Sequence, residues 1–249
     1  MNYFFSMIRS RLSSVVVRIA FTVIVSSLTI APTAFAQQEA AKGKKLFDGT
    51  SLAGWSGITS NWRVEDGAIT GESLKDAPLK NNTFLVYEKK VGDFELNCEF
   101  KISGGNSGIQ YRSKLVDSEK FIVGGYQADI DSEGDLTKNS YMGIHYEERG
   151  RGILVERGQI ISIGEDGKKT RVGSTGDSAA LRNKFKVESW NTYRIVAKGS
   201  VCQHYINGVL MSELQDNQTD KRASEGIIAL QLHAGPPMKV QFKNIVLSE

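Results

Sequence analysis

Residues 94–102 read Phe-Glu-Leu-Asn-Cys-Glu-Phe-Lys-Ile, an alternation of apolar and polar side chains. Successive side chains of a β-strand point to opposite faces, so this stretch predicts a strand with one buried face and one solvated face. The run is too regular in its period of two to be an amphipathic helix, which would repeat every three or four residues. It therefore predicts a sheet that packs against another layer.

Short runs of similar character follow along the chain. They cover residues 107–112, 125–131, 143–147, 152–156, 159–163, 193–198, 202–206, 209–214, 226–232 and 239–247. Asn207-Gly208 between two runs is a strong hairpin signal, and Gly199-Ser200 and Arg157-Gly158 are read as two further hairpins. Only residues 178–184 indicate a helical turn. The pattern predicts an all-β, two-sheet antiparallel sandwich with little helix, and no blade-length repeat favours a propeller.

The first 36 residues predict a cleaved signal peptide. Arg9, Arg11 and Arg18 form a basic region, residues 19–30 form an apolar run, and Ala34-Phe35-Ala36 is a small-x-small cleavage pattern. The apolar run is shorter than the roughly 20 residues that cross a bilayer. We therefore expect a flexible N-terminal segment over 37–43, one domain over 44–249, periplasmic or secreted localisation, and no stable membrane insertion after cleavage.

The formal charge of +3 equals the charge of the three leader arginines. The remainder of the chain is balanced, which argues against an electrostatic nucleic-acid binder. Two cysteines, Cys98 and Cys202, are candidates for a disulfide in an exported protein. Because Cys98 shares the apolar face of residues 94–102, we favour two free, buried thiols.

Several segments occur together in a fixed order. They are 46–55 (LFDGTSLAGW), 62–69 (WRVEDGAI), 106–112 (NSGIQYR), 125–129 (GYQAD), 190–193 (WNTY), 204–208 (HYING), 230–233 (LQLH) and 242–245 (FKNI). In this order and spacing, the chain resembles the 3-keto-disaccharide hydrolase domain family from about Lys44 to Glu249. The resemblance implies a concanavalin-like jelly roll with a sugar site on a concave sheet. It also implies cleavage of 3-keto glycosides that a partner sugar 3-dehydrogenase supplies.

Strand parity independently indicates a polar sheet face. Several pairs of long polar side chains stand two residues apart and so share a face of their strand. These pairs are Gln110 with Arg112, Gln127 with Asp129, His145 with Glu147, and Gln231 with His233. The alternative is a solvated outer sheet, for which Lys, Glu, Ser and Thr are more typical. Convergent Gln, Arg, Asp and His favour a saccharide site.

Each candidate also has a structural interpretation. Arg112 binds a sugar oxygen or forms a surface ion pair, and Asp129 is a base, a metal ligand or a cap at a loop end. Asn106 belongs to a site loop or to a turn that needs glycine. His233, held before a Gly-Pro-Pro segment, is the best single candidate, and a structural role is its alternative. His204 and the three tryptophans are assigned to structure.

The resemblance suggests a mechanism. A C3 ketone acidifies the C2 proton, so cleavage proceeds by elimination of the C1 substituent and addition of water. Asp129 or His233 acts as the base, Arg112 or a divalent cation stabilises the enolate, and Glu147 donates a proton. A conventional glycosidase using Asp129 and Glu147 is a less favoured route. The alternative from another class is a non-catalytic saccharide-binding or interaction domain on the same fold.

Overall fold

A computed structural model describes residues 43–132 and 140–249 of the chain. The expected signal peptide, 1–36, lies outside the described residues, as does all of the expected flexible N-terminal segment, 37–43, except Gly43. In the part of the chain that is described, no helix is long and apolar enough to cross a membrane.

The described residues form seventeen β-strands and one short α-helix. The strands are β1 (Lys44–Lys45), β2 (Trp55–Ser56), β3 (Trp62–Glu65), β4 (Ala68–Ser73), β5 (Thr83–Val91), β6 (Phe94–Ser103), β7 (Asn106–Asp117), β8 (Ile122–Asp131), β9 (His145–Glu148), β10 (Gly152–Val155), β11 (Gln159–Ile163), β12 (Lys169–Ser174), β13 (Asn191–Lys198), β14 (Val201–Ile206), β15 (Val209–Asp216), β16 (Gly226–Leu232) and β17 (Met238–Ser248). The helix, α1 (Ser178–Arg182), is capped by the Asp177 carboxylate, which accepts a hydrogen bond from the Ala180 N–H.

Within the described residues these strands form two sheets. The ten-stranded sheet has the order β12-β11-β15-β14-β13-β6-β17-β4-β3, with β1 paired to β17. The seven-stranded sheet has the order β10-β9-β8-β7-β16-β5-β2. The pairings are antiparallel except for the parallel pair of β11 and β15. The expected all-β sandwich with little helix is confirmed.

The core lies between the two sheets, and β6 shows how the sequence places it. Phe94, Leu96 and Phe100 on this strand are at most 1% exposed, whereas the residues between them are partly exposed. Burial of each such side chain contributes about 1.5–3 kcal/mol relative to exposure. The alternation that predicts the strand therefore also selects the face that joins the core.

The Gly199-Ser200 and Asn207-Gly208 turns join paired strands, as expected. The hairpin predicted at Arg157-Gly158 is wrong. β10 ends before this turn and pairs with β9 in the seven-stranded sheet, whereas β11 follows it and belongs to the ten-stranded sheet. The Arg157 guanidinium donates to the carbonyls of Ser140 and Met142, so the turn is a crossing between sheets.

The two cysteines are free and buried, as the sequence indicates. Cys98 is on β6 and Cys202 is on β14, and β13 lies between these strands. Neighbouring strands are about 4.8 Å apart, so the two Cα atoms are too distant for a disulfide. Burial raises the pKa of the Cys98 thiol to about 12 and that of Cys202 to about 11.

Candidate functional site

The face of the seven-stranded sheet that points away from the core carries a row of polar side chains. The register aligns Gln110 on β7 with Gln127 on β8, and Gln127 with Tyr146 on β9. Asp129 and Glu148 lie two residues from Gln127 and Tyr146, and so share their face. This arrangement joins three strands into one polar surface, which we call the polar face.

Three side chains of the polar face form a continuous chain of contacts. The amide of Gln110 lies 2.6 Å from the amide of Gln127, whose other end lies 2.5 Å from Asp129 Oδ1. All three residues are at most 4% exposed. Gly108 makes room for them, because a Cβ at this position would lie 2.6 Å from Gln127 Cγ. The sheet thus holds a carboxyl group at the end of a rigid pair of amides.

Gln231 reaches the same face from β16. Its Nε2 lies 3.5 Å from Glu148 Oε2, at the limit of a hydrogen bond. Its Oε1 is buried and has no hydrogen-bond partner among the residues that the structure describes. A buried carbonyl oxygen without a donor is costly, so this atom is suited to accept a hydrogen bond from a hydroxyl group of a ligand.

His233 follows β16 and is partly exposed. Its Nδ1 contacts the carbonyl of Ala234, whose own N–H donates to Asn82 Oδ1 at 2.9 Å. These contacts orient the ring and leave its Nε2 without a partner among the described residues. Burial raises the pKa of the nearby Glu148 carboxyl group, and His233 and Asn82 each oppose that shift.

Burial dominates the electrostatics of the polar face. It raises the pKa of Asp129 well above its ordinary value. The contact with Gln127 opposes this shift, and the charges of Glu148 and Asp131 add to it. Burial also raises the pKa of Glu148, an effect opposed by Arg149 and His233. Two carboxyl groups that hold protons more strongly than usual therefore share the site with a histidine, which is typical of acid–base chemistry.

His145 and Glu147 share one face of β9, as parity predicts, but this is the core face, so their assignment to the polar site is wrong. The register places Tyr146 opposite Gln127 on the polar face. His145 and Glu147, each one residue from Tyr146, therefore point to the opposite face. His145 is 1% exposed, contacts Ser212 Oγ at 2.9 Å and stacks on His204 at a ring-centroid distance of 3.5 Å.

Glu147 is occupied by a salt bridge to Arg151, with Glu147 Oε2 2.6 Å from Arg151 Nε. Arg151 also contacts Asp216, which accepts a hydrogen bond from Tyr126. These partners lie along the edge of the core, so Glu147 joins elements of the fold there.

Arg112 does not share a face with Gln110 either. A β-bulge shifts the pairing of β7 with β8 after Tyr111, and Arg112 has a φ of 45°. Its guanidinium donates to the carbonyls of Gly92 and Gly199 and pairs with Asp93 at 2.7 Å. Because these partners are strand-connecting turns, the structure places Arg112 as a clamp between them.

Asn106 lies on the polar face, at the start of β7 and four residues before Gln110. It pairs in register with Asp131 at one end of the site. Of the predicted site residues, the structure therefore brings Asn106, Gln110, Gln127, Asp129, Gln231 and His233 to one face. It places Arg112, His145 and Glu147 elsewhere.

Sequence reasoning missed Glu148, Tyr146 and Asn82. The strand predicted over residues 143–147 stops one residue before Glu148, although extending the alternation from Tyr146 would have reached it. Asn82 precedes β5 and belongs to no motif. With residues 43–132 and 140–249 considered, no group of three or more His, Cys, Asp or Glu side chains is arranged to hold a metal ion.

The chain matches the family profile of the 3-keto-alpha-glucoside-1,2-lyase-like domain over residues 42–248. The chain belongs to this family. The resemblance inferred from the sequence is confirmed, and the family places the chain among carbohydrate-active proteins. No curated protein matches the chain in sequence.

Solved structures share the fold at low sequence identity. A candidate glycosyl hydrolase from Parabacteroides distasonis is 18% identical, with a TM-score of 0.53 over 84% of this chain and 99% of its own. A second one from the same organism is 19% identical, with a TM-score of 0.52 over 82% and 91%. The carbohydrate-binding module CBM66 from Bacillus subtilis is 16% identical, with a TM-score of 0.50 over 80% and 98%.

Proposed function

We propose that this protein cleaves the glycosidic bond of 3-keto glycosides at its polar face. The proposal is supported chiefly by the convergence of two carboxyl groups of raised pKa, Asp129 and Glu148, with His233 in a member of this family. The reaction needs a base and an acid on one surface, and the polar face supplies both.

The chemistry follows from the acidity of the C2 proton beside the C3 ketone. One carboxylate of the pair Asp129 and Glu148 removes that proton. The C1–O bond breaks as a C1–C2 double bond forms, and the leaving oxygen takes a proton from protonated His233. Addition of water then completes the reaction. The carboxyl group exchanges its proton with solvent before the return step, His233 takes a proton from water as hydroxide adds to C1, and the carboxyl group protonates C2.

The neighbouring amides fit the binding of a sugar. The Gln231 Oε1 atom accepts from a hydroxyl group, and the Tyr146 hydroxyl lies on the same face to donate to the C3 oxygen as negative charge develops there. This distribution replaces the roles expected for Arg112 and Glu147. The 3-keto substrate requires a prior oxidation of the C3 hydroxyl, so we propose a sugar 3-dehydrogenase as the upstream partner.

The tryptophans favour catalysis over a non-catalytic stacking platform. Trp55 and Trp62 are buried in the core, at 6% and 3% exposure. Trp190 lies beneath Lys101 and Lys243 of the ten-stranded sheet. None of the three is on the polar face, whereas sugar-binding platforms stack aromatic rings on the ligand.

The leader supports a place of action outside the cytoplasm. Its basic region, apolar run and Ala34-Phe35-Ala36 pattern favour export and cleavage before Gln37. We propose a periplasmic or secreted protein, and sequencing of the N-terminus of protein recovered from the cell envelope or medium tests this. A protein that starts at Met1 in the cytoplasm would contradict it.

The test of the activity compares 3-keto glycosides with their unoxidised parents in D₂O. We expect turnover of the 3-keto compounds alone and one deuterium at C2 of the product, since the proton returns from solvent. Glu148→Gln should lower kcat/KM at least 100-fold. Glu147→Gln, one residue away on the opposite face, is the matched control and should lose far less. Equal rates on the unoxidised sugar, or a product without deuterium, would refute the elimination route.

A further inference from the structure

The direction of the amides in the Gln110–Gln127–Asp129 chain is set at its far end. There, one end of the Gln110 amide lies 3.3 Å from the Gly125 carbonyl oxygen, 3.0 Å from the Tyr126 carbonyl oxygen and 2.7 Å from Ser113 Oγ. An oxygen in this position would accept from the Ser113 hydroxyl but would also face two carbonyl oxygens. A nitrogen donates to them, so the Gln110 NH₂ group points to this end.

The orientation of the Gln110 amide fixes the orientation of the Gln127 amide. The Gln110 oxygen then faces the Gln127 amide at 2.6 Å and must meet its NH₂ group. This turns the Gln127 NH₂ group, which in the opposite orientation donates to Asp129 Oδ1, toward Gln110, and it places the Gln127 oxygen 2.5 Å from Asp129 Oδ1 instead. Two oxygen atoms approach this closely when a hydrogen lies between them, and an amide oxygen carries none.

We propose that Asp129 is a neutral carboxylic acid at neutral pH, held as a hydrogen-bond donor to Gln127 by the amide chain. Asp129 is therefore a positioning residue, and Glu148 is the carboxylate that removes the C2 proton. The assignment of the base rests on the proposed function. The protonation of Asp129 does not, because it follows from the fold alone.

The groups that face Asp129 agree with this assignment. On the polar face they are Asp131 on its own strand and Tyr146 and Glu148 on β9, while the Tyr193 hydroxyl of the ten-stranded sheet reaches the Asp129 backbone carbonyl from the core side. Burial and the two carboxylates all raise the pKa of Asp129. The opposite orientation of Gln127 places its NH₂ group on Asp129 and lowers that pKa, yet burial and the two carboxylates still hold it well above its ordinary value.

The first measurement needs no substrate. Infrared spectra at pH 7 should contain the carbonyl band of a protonated carboxyl group, which Asp129→Asn removes. The exposed control Asp166→Asn should leave the band in place. Gly108→Ala should weaken it by displacing Gln127, whereas Gly92→Ala should not, since a Cβ there lies 3.8 Å from its nearest neighbour.

Stability gives a second measurement with a definite sign. If the pKa of Asp129 is raised in the folded state, the group stabilises the fold fully at pH values below its pKa in the unfolded chain, about 3.9. This stabilisation is lost as the pH rises toward the folded-state pKa. The folding equilibrium constant of the wild type relative to Asp129→Asn should therefore fall about tenfold per pH unit above about pH 4. Asp129→Asn should also leave the acidic limb of the pH–rate profile in place, because it removes no charge beside Glu148.

The proposal would be overturned if the infrared band of the protonated carboxyl group were absent and the folding equilibrium constant of the wild type relative to Asp129→Asn stayed constant above pH 4. Together these results would show that Asp129 is ionised. A shifted acidic limb in Asp129→Asn would do the same. Failure to turn over any 3-keto glycoside would overturn the proposed function instead, and leave the infrared and stability results to stand.

Discussion

The stacked histidines of the core should make the protein sensitive to acid. His145 and His204 are at most 1% exposed. The His204 Nδ1 contacts the Ile144 carbonyl at 3.1 Å and its Nε2 contacts the Tyr111 hydroxyl at 3.0 Å. The first nitrogen donates to the carbonyl. Because burial lowers the pKa of His204 well below its ordinary value, the ring is neutral and its second nitrogen accepts from the Tyr111 hydroxyl. Protonation of either ring would bury a charge against its partner.

The magnitude follows from the shifted pKa of His145, which burial lowers to about 3. The unfolded chain takes up a proton near pH 6.5, and the folded chain does so only near its lower pKa. Stability is therefore fully present above about pH 6.5 and is lost as pH falls toward 3. At pH 4 this difference spans about 2.5 pH units at about 1.4 kcal/mol each, so His145 alone removes about 3–4 kcal/mol. Burial and His145 also lower the pKa of His204, which adds to the loss.

The test is urea unfolding of the wild type and His145→Phe between pH 4 and pH 8. Phenylalanine keeps the ring stack and removes the titrating group, so the variant should lose about 3–4 kcal/mol less than the wild type between these limits. The Asp129 contribution is common to both proteins and cancels. Parallel curves for the wild type and His145→Phe would refute the reasoning.

Two further predictions concern the fold. Arg112→Met should lower the free energy of unfolding by roughly 3 kcal/mol in urea titrations, because it leaves the Gly92 and Gly199 carbonyls without a charged donor. The control Arg194→Met removes a partly exposed salt bridge to Glu95 and should cost about 1 kcal/mol or less. If Arg112→Met also cost only about 1 kcal/mol, Arg112 would not act as a clamp between the two turns. Native protein should show no reaction of Cys98 and Cys202 with a thiol reagent, and protein unfolded without reductant should show two thiols; none after unfolding would reveal a disulfide.

Much of the fold could be predicted from local pattern. The alternation in residues 94–102 identifies a strand and its buried face, and the Asn207-Gly208 turn predicts the pairing of β14 with β15. These signals work because side-chain direction and turn geometry depend on neighbouring residues. The turn at Arg157-Gly158 has the same local appearance, yet it joins the two sheets, since pairing partners for β10 and β11 lie elsewhere in the chain.

The candidate site was predictable in part for the same reason. Parity correctly joins Gln127 with Asp129, because both are on one uninterrupted strand. Parity fails for Arg112, because a β-bulge interrupts the alternation of side chains along β7. For His145 and Glu147 it cannot tell which face of β9 joins the polar site, because that depends on the register of β9 against β8. A shift of one residue exchanges the two faces of a strand, and nothing within β9 itself specifies that shift.

The sequence by itself determined the sandwich architecture, the family and the polar character of the sheet that carries the site. Tertiary structure alone decided that Glu148 joins Asp129 and His233, while Glu147 joins Arg151 in the framework of the fold. The physical reason is that composition and period two are local properties of a strand. Which alternate residues meet across strands is settled by long-range pairing and by the single extra residue of a bulge.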